Sequence, residues 1–305
     1  MSKEKIKIAS GYVLICAIWG STWLVIRLGL DSLIPFISAG IRFILASIFI
    51  YVLMRFRNIK LQKDILSIKL YIMLTFFSYV FPYGLVYWSE QFIPSGLTAI
   101  VFATMPFFVL IFSLLAFSKS SVTRFQTMGI ILAFAGILII FMENLSIDLS
   151  LHMKGIIALL MGSAMQAGIA VAIKKYGKQL NPLSMSFIPL LIAGIILVIT
   201  AFIFEDKTAW NFNQNAISSI IYLAFFGTVL AFTTYYWLLQ RISVVLLSLS
   251  SFITPIIAVI LGWVILDEKL SFQTLIGSGL VLIGILFANF TTIKNNYFSR
   301  RVSIR

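Results

Sequence analysis

Histidine and cysteine are all but missing from this chain: among its 305 residues there is one of each, His152 and Cys16. A lone cysteine excludes an intramolecular disulfide and any thiolate metal cluster, and a lone histidine leaves no ligand set for a metal site. Charge is scarce as well. Only 11% of residues are charged, against about 25% in an average soluble domain, while 61% are hydrophobic. A water-soluble fold could not hide that much apolar surface, so lipid has to be its main solvent. A glycine-rich phosphate loop and a His-rich metal motif are also lacking, which leaves a membrane-embedded enzyme without a chemical set to use. No cofactor, no metal and no enzymatic activity are expected. Acidic residues are the rarer sign, 10 against 23 basic, for a net charge of +13. In a soluble protein that balance would suggest nucleic acid; here its placement along the chain gives another reason.

What the sequence does have is long apolar runs. A helix needs about 20 such residues to cross a hydrocarbon core roughly 30 Å thick. Ten runs qualify, at about 8–30, 34–54, 68–89, 94–117, 124–142, 154–173, 183–204, 215–239, 242–266 and 272–291. The first follows several lysines, as a signal peptide would, but no small-residue cleavage site and polar domain come after it, so it is read as a span. With the N-terminus placed in the cytoplasm, the cytoplasmic loops collect Lys3, Lys5 and Lys7, then Arg55, Arg57, Lys60 and Lys63, then Lys174, Lys175 and Lys178. Eight of the ten acidic residues, among them Asp31, Glu90, Glu205 and Glu268, fall on the outer side. The positive excess is therefore an orientation signal, with anionic lipid headgroups as its partner and no nucleic acid. The expected protein is an all-α, multi-pass plasma-membrane protein with both termini cytoplasmic.

The second half of the chain echoes the first at an offset of about 147–149 residues. "FQTMGIILAFAGIL" at 125–138 resembles "FQTLIGSGLVLIGIL" at 272–286; Tyr87-Trp88 matches Tyr236-Trp237, Pro106 matches Pro255, and Pro35 matches Pro182. Each copy holds five spans, an odd number, so the second must enter the membrane from the opposite side. Inverted repeats of this kind are a mark of secondary transporters, which bind substrate near mid-membrane between the halves.

With these residues in view, the chain resembles a ten-span member of the drug/metabolite transporter superfamily built from two EamA-type repeats. The likeness is carried by "IWGSTWLVIRLGL" and "IPFISAGIRFILA" within 18–46, "ATMPFFVLIF" at 103–112 and "SSFITPIIAVILGWVILDEKLSFQTLIGSGLVLIGIL" at 250–286. It divides the chain into a cytoplasmic tail (1–7), a first repeat (8–142), an outer loop (143–153), a second repeat (154–291) and a basic cytoplasmic tail (292–305). One departure is visible: Ser120 stands where Glu268 stands in the second repeat, so any role for that acid is one-sided here. The resemblance implies export of small metabolites, often amino acids or related compounds, by alternating access. Drug efflux, or metabolite uptake by the same fold, are the alternatives, and a non-transporting sensor or scaffold is more remote. The expected partners are a small-molecule substrate and membrane lipid, with the chain a monomer or a homodimer. The fold does not by itself choose the substrate.

Charges inside a span are costly and so become functional candidates. Arg42 lies about eight residues into the second span and belongs to the "RF" pair that the family resemblance points to. It is read either as attracting a substrate carboxylate or pairing Glu90 in one state, or as a permanent structural contact. Arg27 has Asp31 four residues on, spacing that suits a pair on one helix face. Glu90 closes the third span and is the candidate for ion coupling. Glu268 is read as belonging to the cap region of span ten. Trp19 and Tyr79 sit too deep for an interfacial belt and, with Tyr83, Tyr87 and Tyr236, are expected to line a cavity. Gly20, Ser21 and Thr22 form a small notch where a neighbouring helix or a substrate can come close. Pro106 and Pro255 are candidate hinges. Glycines spaced by seven in spans five and ten mark those two as packing helices.

Overall fold

The computed structural model of the protein describes residues 3–116, 149–248 and 250–302, together with ten positions between 124 and 139. The described residues form helices and connecting turns, without a strand. Eight helices are long and apolar enough to cross a bilayer: Glu4–Leu30, Pro35–Phe56, Ile65–Ser89, Ser95–Ala116, His152–Tyr176, Pro182–Phe204, Gln214–Arg241 and Leu246–Leu266. These are spans one to four and six to nine of the sequence reading, and each end lies within four residues of the one read there. Span ten is the helix Phe272–Val302, apolar over Phe272–Gly284. The described residues of span five are all helical. The architecture is two five-helix repeats. Large apolar side chains such as Ile48, Ile199, Phe204 and Trp263 point outward from it, as lipid-facing positions should.

The helix starts follow from local chemistry. Asp64, Asn181 and Asn213 accept from backbone N–H groups of the first turns of spans three, seven and eight, at 3.1, 2.9 and 2.9 Å. Spans two and four lack such a cap, since Ile34 and Pro94 stand at the cap position. Their free N–H groups are met from the other repeat. Glu205, at the end of span seven, accepts from Phe36 N at 2.5 Å and Ile37 N at 3.1 Å. Glu268 accepts from Ser95 N at 3.0 Å and Gly96 N at 3.2 Å, and from the Ser95 hydroxyl. This corrects the reading of Glu268 as a cap for span ten, where Ser271 accepts from Thr274 N instead. The acid caps a helix more than 170 residues away in sequence. Arg27 likewise reaches the carbonyl oxygen of Glu90, in place of the pair with Asp31 that its spacing offers.

Spans two and seven, equivalent in the two repeats, touch backbone to backbone. A Cβ on Gly194 would lie 2.8 Å from Ile44 N, and one on Gly40 would lie 3.1 Å from Gly194 O. Small residues let helices approach this closely in lipid. Gly194→Ala is expected to cost about 1–3 kcal/mol through the forced separation, read as an earlier midpoint in thermal or denaturant unfolding in detergent. Spans five and ten also pack on glycine, because a Cβ on Gly136 would run into the Gly277 carbonyl.

Spans three and eight share a second feature. Each contains one π-helical segment, Thr75–Val80 and Phe225–Leu230, at matching places in the repeats. Pro82 has no N–H, which leaves the Ser78 carbonyl open, and Gln166 from span six donates to it at 2.8 Å. In span eight the Thr228 hydroxyl donates to Leu223 O, five residues back. The matched prolines differ in effect. Span four is interrupted at Ala103–Thr104, just ahead of Pro106, into the helices Ser95–Phe102 and Met105–Ala116. Pro255 sits inside the unbroken helix Ser250–Leu266.

Candidate functional site

Arg42 is 1% exposed, among the largest fully buried side chains of the protein. Span two carries it into the interior, where both repeats contribute to its surroundings. Its Nε donates to the Thr228 hydroxyl at 2.9 Å, Nη1 to the Tyr87 hydroxyl at 3.1 Å and Nη2 to the Gly227 carbonyl at 3.4 Å. Its guanidinium also lies over the rings of Tyr83 and Phe43, 5.0 and 5.5 Å from their centroids. Thr228 and Gly227 belong to the π-helical segment of span eight, so the altered helix register there is what turns a carbonyl and a hydroxyl toward the arginine. Among the described residues no carboxylate reaches it. A buried cation satisfied by neutral groups alone is costly to keep and attracts an anion.

Beside Arg42 is a cavity of about 100 Å³, with residues of both repeats in its walls. Trp19, Trp23, Tyr83, Phe102, Phe232 and Tyr235 make its aromatic surface. The rings brace one another: Trp19 lies 5.6 Å from Phe232 and 5.3 Å from Tyr235, and Trp23 lies 5.5 Å from Phe102. The polar groups are Arg42, Thr22, Gln166 and a cluster from span nine, Ser248, Ser250, Ser251 and Thr254. The indole Nε1 atoms of Trp19 and Trp23 are buried with no acceptor among the described residues. Indole and guanidinium nitrogens can only donate. The cavity therefore sets the positive charge of Arg42 and a few polar side chains among flat apolar walls.

Of the residues singled out from sequence, Trp19, Thr22, Arg42 and Tyr83 line this cavity. Tyr79, Tyr87 and Tyr236 are buried behind its wall, Tyr87 on Arg42 and Tyr79 on Tyr236 through a 2.9 Å hydroxyl contact. Tyr79, Tyr83 and Tyr87 recur every four residues and so share one face of span three. Ser21 is not among the lining residues: its hydroxyl donates to Ile18 O and meets the Tyr222 hydroxyl at 2.7 Å. Gly20 seats Ile257 of span nine, where a Cβ would come within 2.6 Å of that side chain. Met105 and Thr254, each next to a candidate hinge proline, are in the cavity wall. Glu90 lies at the end of the bundle that also carries Glu268 and Arg27, fully buried. Sequence reasoning missed Trp23, Gln166, Thr228 and Phe232. For Trp23 there was a signal, its helical spacing of four from Trp19.

The EamA-like transporter family model matches residues 7–142 and 153–290. The chain is 26% identical over 300 residues to the "Uncharacterized transporter YoaV" of Bacillus subtilis (strain 168), covering 97% of this chain and 99% of that one. It is 32% identical over 275 residues to the "Uncharacterized inner membrane transporter YedA" of Escherichia coli (strain K12), covering 88% and 86%. It is 28% identical over 290 residues to "Protein PagO" of Salmonella typhimurium, covering 95% and 94%. Among solved structures, one crystal structure matches with a TM-score of 0.70 at 15% identity, over 93% of this chain and 98% of that one, a likeness of fold.

Proposed function

Because the chain belongs to the EamA-like transporter family and is a multi-pass membrane transporter, we propose that it exports a small amphipathic carboxylate, an amino acid or a close relative, by alternating access. The observation that supports this most is Arg42: a fully buried guanidinium, without a carboxylate among the described residues, at an aromatic cavity shared by the two repeats. A substrate carboxylate supplies the missing negative charge, and an apolar or aromatic side chain fills the space between Trp19, Trp23 and Phe232. The acidic end of the bundle faces outward and the basic end, with both termini, faces the cytoplasm. At about 100 Å³ the cavity is smaller than the roughly 300–1,000 Å³ usual for ligand sites. Substrate entry thus requires the repeats to part on one side, with span four, split at Ala103–Thr104, as the element able to bend.

Counterflow in proteoliposomes tests the reading, with a panel of L-amino acids, nucleosides and cationic dyes. Aromatic and large apolar amino acids, L-phenylalanine among them, should exchange, and cationic dyes should not, since Arg42 repels them. Exchange of dyes without amino acids would replace this reading with drug efflux. Exchange of nothing by folded protein would remove it.

A further inference from the structure

Glu90 immediately follows the third span, and its surroundings are unlike those of the other acids among the described residues. It is 0% exposed, and neither carboxylate oxygen has a hydrogen-bond partner among the described residues. Its backbone is well tied, with N–H donating to Val86 O and the carbonyl accepting from Arg27. The side chain alone is left without a partner. The groups that act on it electrostatically are Glu268 from the turn before span ten, Arg27 from span one, Arg42 from span two, and Tyr87 less than one turn back on its own helix.

The neighbouring acid is the opposite case. Glu268 has both oxygens occupied by Ser95 N, Gly96 N and the Ser95 hydroxyl, at the positive end of a helix. A negative charge nearby makes it harder for a carboxyl to ionise. The donors separate the two: the oxygens of Glu268 are bonded, whereas an ionised Glu90 would have its charge buried with nothing bonded to it. Burial, with the Glu268 charge adding to it, holds the Glu90 carboxyl well above the usual carboxylate range, against the smaller pull of Arg27 and Arg42.

We propose that Glu90 is the proton-binding site of the transport cycle, taking one proton from water at the acidic end as that end closes and returning it to cytoplasmic water when the opposite end opens and rewets the site. The inference rests on the transporter reading above, and it adds the coupling ion and the group that carries it. The step balances simply: one O–H bond forms at Glu90 and one proton leaves the solvent. Deprotonated, the carboxylate has Arg27 close by, free to exchange its carbonyl partner for an ion pair. In the closed state the carboxyl is held high, while a hydrated one returns toward the ordinary value of about 4.3. Closure is accordingly fully supported below that ordinary value and weakens as pH rises toward the raised one.

Two measurements test this separately from substrate identity. Infrared spectroscopy of the protein in nanodiscs at neutral pH should show a protonated carboxyl band that shifts in D₂O. Glu90→Gln should remove that band; should Glu90→Gln not fold, Glu90→Asp should displace it. No such band, or one that these Glu90 variants leave in place, overturns the proposal. In proteoliposomes loaded with a pH-sensitive dye, L-phenylalanine flux through the wild type should move protons, and in Glu90→Gln that movement should be lost completely. Net phenylalanine flux without proton movement in the wild type also overturns it. Absence of exchange itself counts against the transporter reading, while the infrared result still decides the proton site.

Discussion

Arg42→Gln should abolish transport, by about 100-fold or more, in a protein that folds at least as well as the wild type. The first half of that expectation comes from the energetics of a buried charge. Removing one partner of a buried ion pair costs about 3–5 kcal/mol, and each 1.4 kcal/mol is a factor of ten in affinity. Here the pair is complete only when substrate is bound, so the loss is read in transport. The second half follows from the resting contacts. Arg42 donates to two hydroxyls and one carbonyl, and a glutamine amide can keep part of that set while removing an unpaired buried cation. Retained or raised thermal stability together with lost counterflow would mark Arg42 as a site residue held against stability. Wild-type transport in the variant would make it structural. Arg42→Lys should fall between, because an ammonium keeps the charge but lacks the planar fork that spans Thr228, Tyr87 and Gly227.

How much of this was visible in the sequence depends on the range over which each cause acts. Span positions come from local composition, and their ends were accordingly legible within a few residues. Arg42 stood out because a cation in an apolar run has few uses, and Trp19 and Tyr79 because they lie too deep in their spans for an interfacial belt. The π-helical segments were not legible: TFFSYV and FFGTVL are as apolar as the α-helix around them, and only the hydrogen-bond register differs. Thr228 and Gly227 were missed with them. Ser21 looked like a polar wall next to Thr22, but adjacent residues on a helix point about 100° apart, and Ser21 faces Tyr222. Long-range pairing was the least accessible of all. Nothing near Glu268 in the chain indicates Ser95, and the cap reading failed because the helix end it serves belongs to the other repeat.

The Glu268 contact leads to the second large effect: Glu268→Ala should swing the protein toward a state open at the acidic end. Span four begins with Pro94 at its cap position, which supplies no side-chain acceptor, so the carboxylate of Glu268 is what satisfies Ser95 N and Gly96 N. Hydrogen bonds to a charged group contribute about 1.5–3 kcal/mol each. In an opened state water takes over those donors, so the loss falls mainly on the closed state. A relative shift of about 3 kcal/mol changes the closed-to-open ratio roughly 100-fold. Val86 lines the cavity at 4% exposure, which makes it a suitable reporter. With the native thiol removed by Cys16→Ser and Val86→Cys introduced, a membrane-impermeant maleimide added at the acidic side should label at least tenfold faster once Glu268 is alanine. Glu268→Gln, which keeps an oxygen acceptor but not the charge, should give a smaller rise. The rest of span four can follow its first turn outward because Ala103–Thr104 already interrupts the helix, while Lys175 donates to Ala116 O at 3.0 Å and holds the other end in place. Equal labelling with and without Glu268 would mean that packing of span four on span nine keeps that face shut, and the carboxylate would then be a cap and nothing more.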